Sequence, residues 1–147
     1  MSSTALSSET LHASSIALNG QAVLLSGRSG SGKSDLALRM IDRGATLISD
    51  DYTILRRVQG KLLASAPLNL KGKLEVRGLG ILAFESVADL PVTLFVNLDR
   101  PVERMPEAPE SVYIAGVAVP SVALSGLEAS APVKLEVALS LLGMPPE

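Results

Sequence analysis

The residues with the clearest chemical purpose are consecutive. Gly27-Arg28-Ser29-Gly30-Ser31-Gly32-Lys33-Ser34 fits G-x-x-x-x-G-K-[ST], with the apolar runs Ala22-Val23-Leu24-Leu25 before it and Leu36-Ala37-Leu38 after it. Those flanks place the segment between a strand and a helix. A loop there can turn several backbone N–H groups inward around a polyphosphate, which calls for residues without Cβ at its tightest points. Gly27, Gly30 and Gly32 meet that need. Lys33 would bring a fixed positive charge to the β and γ phosphates, and the Ser34 hydroxyl would ligate Mg²⁺.

Other chemistry-bearing residues lie within reach of such a loop. A helix of about 11 residues rises ~16 Å, and a following strand of five or six residues covers about the same distance. A right-handed strand-helix-strand crossover therefore returns Asp50-Asp51 to the edge that carries the loop. One carboxylate would orient the metal and the other would accept a proton from an attacking hydroxyl. Neighbouring strand residues point to opposite faces, so the two are expected to differ in role. An acidic turn between strands is the plainer alternative. His12, the only histidine, is suited to proton transfer or phosphate contact, or else to an ordinary place on the surface. In Lys71-Gly72-Lys73-Leu74-Glu75-Val76-Arg77-Gly78, Glu75 could complete a metal shell. Lys71, Lys73 and Arg77 could meet an anionic partner, or simply form a solvated basic strand.

The positioning elements follow from pattern. Leu11 to Leu18 and Gln21 to Ser26 read as strands joined by Asn19-Gly20, a strong hairpin signal. Lys33 to Arg43 reads as an amphipathic helix carrying Leu36, Leu38, Met40 and Ile41, closed by Gly44. Thr46 to Ser49 reads as a buried strand, and Tyr52 to Val58 with Lys61 to Ala64 as a second hairpin around Gln59-Gly60. Leu74 to Phe84 is apolar but broken at Gly78 and Gly80. Val92 to Leu98 is a strand after Pro91, and Val112 to Val119 is one more between Pro109 and Pro120. Pro132 to Leu142 reads as a final helix with Val133, Val137 and Leu141 on one face, stopped by Gly143 and Pro145-Pro146.

Composition narrows the class. The 147 residues, 47% hydrophobic, suit one domain with a real core. Residues 1–10 read as a loose leader and 11–147 as the domain. The net charge of −2 offers no basic field for nucleic acid, and 3% aromatics offer little base stacking. The absence of Cys excludes a disulfide framework and thiol chemistry and suits the cytoplasm. No stretch approaches the ~20 apolar residues of a membrane span.

Taken together, the loop, Arg43-Gly44, Ser49-Asp50-Asp51 and Leu74-Glu75-Val76-Arg77-Gly78-Leu79-Gly80-Ile81 resemble the catalytic domain of the HPr kinase/phosphorylase family, over roughly residues 11 to 84. The resemblance implies an α/β fold: a single phosphate-loop domain with a phosphoenolpyruvate-carboxykinase-like mixed sheet and flanking helices. It implies an ATP-dependent protein-serine kinase acting on the phosphocarrier HPr in phosphotransferase-system signalling, with ATP and Mg²⁺ as cofactors. It also implies Asp51 as the catalytic base, His12, Asp50, Lys33 and Arg77 as supporting residues, Glu75 as a metal ligand beside Ser34, and a homo-oligomer, a hexamer in the family. The expected form is the short one without the family's N-terminal domain. The family's later Pro-Gly-Arg-Asn run has no arginine here, where Pro120 to Pro132 reads PSVALSGLEASAP, and Arg100 and Arg104 lie upstream. Kinase activity is thus expected over phosphorolysis. A small-molecule kinase and a nucleotide-sensing module are the rival readings.

Overall fold

The computed structural model describes residues 7–144. In chain order its strands are β1 (Ser8–Leu11), β2 (Ala13–Leu18), β3 (Gln21–Ser26), β4 (Thr46–Ser49), β5 (Thr53–Val58), β6 (Lys61–Ser65), β7 (Lys73–Val76), β8 (Gly80–Ala83), β9 (Leu90–Asn97), β10 (Glu110–Ile114) and β11 (Val117–Ala123). Helix α1 (Lys33–Asp42) follows β3, and helix α2 (Ala131–Leu142) follows β11.

One mixed sheet organises the domain, in the order β1-β5-β6-β9-β3-β2-β4, with β11 also on β9 and β10 on β11. Strand β9 is its hinge. It runs parallel to β3 along one edge. On the other edge its first residues, Leu90 and Pro91, pair with antiparallel β6, and Phe95 to Asn97 pair with parallel β11. Two strands dividing one edge force the sheet to curl. A proline is tolerated at the start of β9, where the ladder begins.

Alternation along the central strands then builds two cores, because successive side chains point to opposite faces. Val23 and Leu25 of β3, with Leu94 and Val96 of β9, pack against Leu36, Ala37 and Met40 of α1 and Leu135 and Leu139 of α2. Ala22 and Leu24 face the other way, against Leu55, Leu62 and Ala64 of the curled half and Val119 of β11. The loop-bearing strand is buried on both faces and gives its C-terminal end a rigid footing.

Local signals explain most boundaries. Asn19 and Gly20 adopt φ of 54° and 74°, the positive pair that a two-residue hairpin requires, and the β2–β3 register runs from Leu18↔Gln21 to Ala13↔Ser26. Helix α1 ends as expected, with Gly44 at φ 107° and its N–H on the Ile41 carbonyl. The stop at Pro145-Pro146 lies outside the described residues.

Four expectations change. Residues 8–10 are the body of β1, paired with β5 from Ser8↔Arg56 to Leu11↔Thr53, and so form an edge strand in place of the end of a loose leader. The run from Leu11 to Leu18 breaks at His12, which lies between β1 and β2. Val112 to Val119 is two strands, because Ala115 and Gly116 take positive φ of 48° and 81° and turn the chain back on itself. In α2, Val133, Val137 and Leu141 share the exposed face, while Ala131, Pro132, Leu135 and Leu139 are buried.

Candidate functional site

Strand β3 ends at Ser26 and the phosphate loop springs from it, so the loop's origin is fixed by the core. Gly27 is needed for close approach: a Cβ there would come within 2.9 Å of Ser31 Cβ. Gly32 caps α1 at φ 97°, a conformation in which a side chain is strained. The first turn of α1 donates little to itself, since the opening N–H groups of any helix lack intrahelical partners. Those donors and the helix dipole face the space in front of the loop.

A cavity of about 560 Å³ opens there, lined by Ser29, Gly30, Gly32, Lys33, Ser34, Asp35, Leu38, Asp50, Asp51, Glu75, Val76, Arg77 and Leu127. The structure thus brings together, on one cavity, the loop, the acidic pair, Glu75 and Arg77. Gly27, Arg28 and Ser31 are not on its wall. Arg28 is turned to Asp99, which accepts its N–H at 2.9 Å and pairs with Nε at 3.4 Å. Ser31 Oγ is buried without a hydrogen-bond partner among the described residues, beneath the loop beside Gly27. Lys33 is buried, its Nζ donating to the Gly27 carbonyl.

The two carboxylates occupy different environments. Asp50 is buried, and its Oδ1 accepts from Ser14 Oγ at 2.9 Å and from Ser34 Oγ at 2.7 Å. Its Oδ2 accepts the Glu75 N–H at 3.1 Å. One carboxylate therefore ties together β2, the first turn of α1 and β7. Asp51 is exposed. Its Oδ1 lies 2.7 Å from His12 Nε2, and its N–H donates to Ser14 Oγ at 3.2 Å. The two carboxylates do face different ways, but the geometric cause is not strand alternation: β4 has ended at Ser49, and Asp51 sits at φ 71°. That left-handed turn swings the second carboxylate outward.

The crossover also differs in detail. Strand β4 pairs antiparallel with β2 and β2 antiparallel with β3, so β4 runs in the direction of β3 with β2 between them. The acidic pair still reaches the edge that carries the loop, and the intervening strand brings in Ser14. Sequence reasoning passed over Ser14 and the packing of Tyr52 on His12. A hydroxyl at a fully buried position of an apolar strand is the signal for the first. For Tyr52 there was its place beside the acidic pair: its ring stacks on His12 with centroids 5.0 Å apart and planes 28° from parallel.

The basic side chains nearby are otherwise engaged or exposed. Arg77 is exposed at the rim, Glu75 beside it on β7 presents its side chain to solvent, and Lys73 at the start of β7 and Lys71 just before it are exposed. Arg100 does not line the cavity; it pairs with Glu110, at 2.5 and 2.6 Å, and that hydrogen bond keeps the Glu110 carboxyl below its ordinary range.

With this geometry in view, the HPr serine kinase C-terminal domain profile matches residues 4–137. The chain belongs to that family. Curated family relatives include the HPr kinase/phosphorylase of Clostridium tetani, 42% identical over 87 residues, which are 59% of this chain and 28% of that protein. That of Chlorobium limicola is 35% identical over 127 residues, 77% of this chain and 38% of that protein. The chain therefore spans well under half the length of these family members. The solved Hpr(Ser) kinase/phosphatase of Coxiella burnetii matches with a TM-score of 0.78 at 26% identity, over 90% of this chain and 89% of that one. The mixed α/β, phosphate-loop kinase fold expected from sequence is thus the fold of the HPr kinase family. No helix among the described residues is long and apolar enough to cross a membrane.

Proposed function

We propose that this chain is an ATP-dependent protein-serine kinase acting on the phosphocarrier HPr, and so serving phosphotransferase-system control of carbohydrate uptake in the cytoplasm. The observation that carries the reading is the division of labour between adjacent carboxylates on one cavity. Asp50 is buried and bound to Ser34 of the phosphate loop, and Asp51 is exposed and paired with His12. Family membership supports HPr as the acceptor and a homo-oligomer as the working form.

The loop amides and Lys33 are disposed to bind the polyphosphate of ATP, with Lys33 exchanging its contact to the Gly27 carbonyl for phosphate oxygens. The donors beside them, Ser34, Asp50 and Glu75, are all oxygen groups, which suits Mg²⁺. No group of three His, Cys, Asp or Glu residues is spaced to hold a metal ion by itself among the described residues. That set fits an Mg²⁺ completed by phosphate and water oxygens. Magnesium held there would neutralise charge on the transferring phosphoryl group. Ser34 and Asp50 would hold it and Glu75 would close its outer side.

Asp51 faces the open side of the cavity, where a protein hydroxyl would enter. It would accept the serine proton as that oxygen attacks the γ phosphorus in line and the bond to ADP breaks. His12 keeps the accepting carboxylate in place, and Arg77 at the rim offers charge to the incoming acceptor. The test is to incubate the protein with Mg-ATP and HPr and locate phosphate by mass spectrometry. Phosphoserine on HPr is the expected result, and its absence overturns the reading.

A further inference from the structure

Between β11 and α2, residues 125–130 lie as a strap across the phosphate loop. Two ties seat it on α1 and α2. Arg39 Nη1 donates to the Glu128 carbonyl at 3.0 Å and Nη2 to the Gly126 carbonyl. Lys134 Nζ pairs with Glu128 Oε2 at 2.9 Å. Arg39 is itself 2.9 Å from Asp35 on the preceding turn, an ion pair whose Nε–H is not aimed at the oxygen. The strap touches the loop directly: a Cβ on Gly126 would stand 2.7 Å from the Ser31 carbonyl oxygen, and one on Gly32 would stand 2.9 Å from Leu127 Cδ2.

What this anchorage holds in place is an exposed leucine. Leu127 is 68% exposed and lines the cavity, as does Leu38 one turn beyond Ser34 on α1. Leaving a leucine in water forgoes the stabilisation that its burial would contribute, and a strap tied at both ends prevents its collapse into the core.

Topology says which part of a ligand it would meet. In the order β11-β9-β3-β2-β4, the segments after β11 and after β4 approach the phosphate loop from opposite flanks of β3. The carboxylates after β4 mark the flank where the terminal phosphate reacts. The other end of a nucleoside triphosphate carries the nucleoside, and the other flank carries Leu127. We propose that the strap is the nucleoside wall of the cavity, with Leu127 packing on the face of the base whose phosphates the loop holds. This rests on the phosphate-loop reading above and adds the contact that separates a nucleotide from bare polyphosphate.

Calorimetric titration with Mg-ATP and with magnesium tripolyphosphate, which has the phosphates and no nucleoside, tests it. Wild type is expected to bind both, ATP more tightly. Leu127→Ala is expected to weaken ATP about fivefold to tenfold, the scale of a partly lost apolar contact, with tripolyphosphate affinity unchanged. Leu127→Met is expected to restore most of the ATP affinity, and unchanged tripolyphosphate binding shows that the variants are folded. Equal losses for both ligands, or none for ATP, overturn the nucleoside wall while leaving the phosphate loop standing. If wild type binds neither ligand, both readings fall.

Discussion

His12 Nε2 lies 2.7 Å from Asp51 Oδ1, although 39 residues separate the two in sequence. An ionised carboxylate only accepts, so Nε2 is the nitrogen that carries the proton in this pair. In the reaction proposed above, the pairing leaves Oδ2 of Asp51 as the atom for an incoming hydroxyl. Asp51→Asn preserves size and removes that proposed proton acceptor. Phosphoryl transfer is expected to fall by roughly 10²–10⁴-fold, the range of a lost general base, with ATP affinity unchanged. Single-turnover transfer alongside equilibrium binding checks both halves. Wild-type transfer by this variant would remove Asp51 from the role of base.

Tyr52 supports that pair from the side through its stack on His12. Aromatic pairs of this kind contribute about 0.5–1.5 kcal/mol, so loss of the stack should lower kcat about two- to tenfold. The expected pattern is that Tyr52→Ala lowers kcat without raising KM for ATP and moves the His12 ring resonances. Tyr52→Phe, which keeps the ring, should do neither. Equal behaviour of the two variants would mean the hydroxyl or the bulk matters and not the stack.

Ser14 sits under both carboxylates, donating to Asp50 Oδ1 and accepting the Asp51 N–H. Ser14→Ala leaves a buried carboxylate oxygen and a backbone donor each short of a partner. Such a deletion costs about 1–3 kcal/mol, measurable in the urea midpoint. Because Asp50 Oδ1 also holds Ser34, Mg-ATP affinity should fall too. Stability lost with Mg-ATP binding intact would make Ser14 a packing residue alone.

The parts of this site legible in sequence are those set by short-range chemistry. The glycines and Lys33-Ser34 specify a strand-to-helix phosphate loop, Asn19-Gly20 specifies the turn behind it, and helix and strand rises bring Asp50-Asp51 back to it. Less legible was anything set by pairing between distant segments. That β2 would stand between β3 and β4, carrying Ser14 into the site, depends on sheet order, which hydrophobic pattern does not encode. The outward turn of Asp51 depends on a positive φ at a residue other than glycine. The face of α2 was misjudged because valines and leucines ring much of that helix, so periodicity alone does not choose which of them meets the sheet.

The strap carries a pH-sensitive tie. The hydrogen bond from Lys134, and then its charge, hold the Glu128 carboxyl below the ordinary carboxylate range. A group depressed in the folded state stabilises it at pH values above its unfolded value, and that contribution is lost as pH falls through the folded value. The tie is therefore intact at neutral pH and released on acidification below the usual carboxylate range. Both partners are half exposed, so salt should weaken it at neutral pH as well. Arg39 binds backbone carbonyls, which do not titrate, so acid should loosen the strap without detaching it. Hydrogen exchange at the amides of Glu128 and Ala131, bonded to Ser125 and Glu128, is the measurement. After correction for intrinsic rates, acidification or Lys134→Ala at neutral pH should lower protection, and in the variant the pH dependence should shrink. A variant that keeps the wild-type pH dependence would place the titrating group elsewhere.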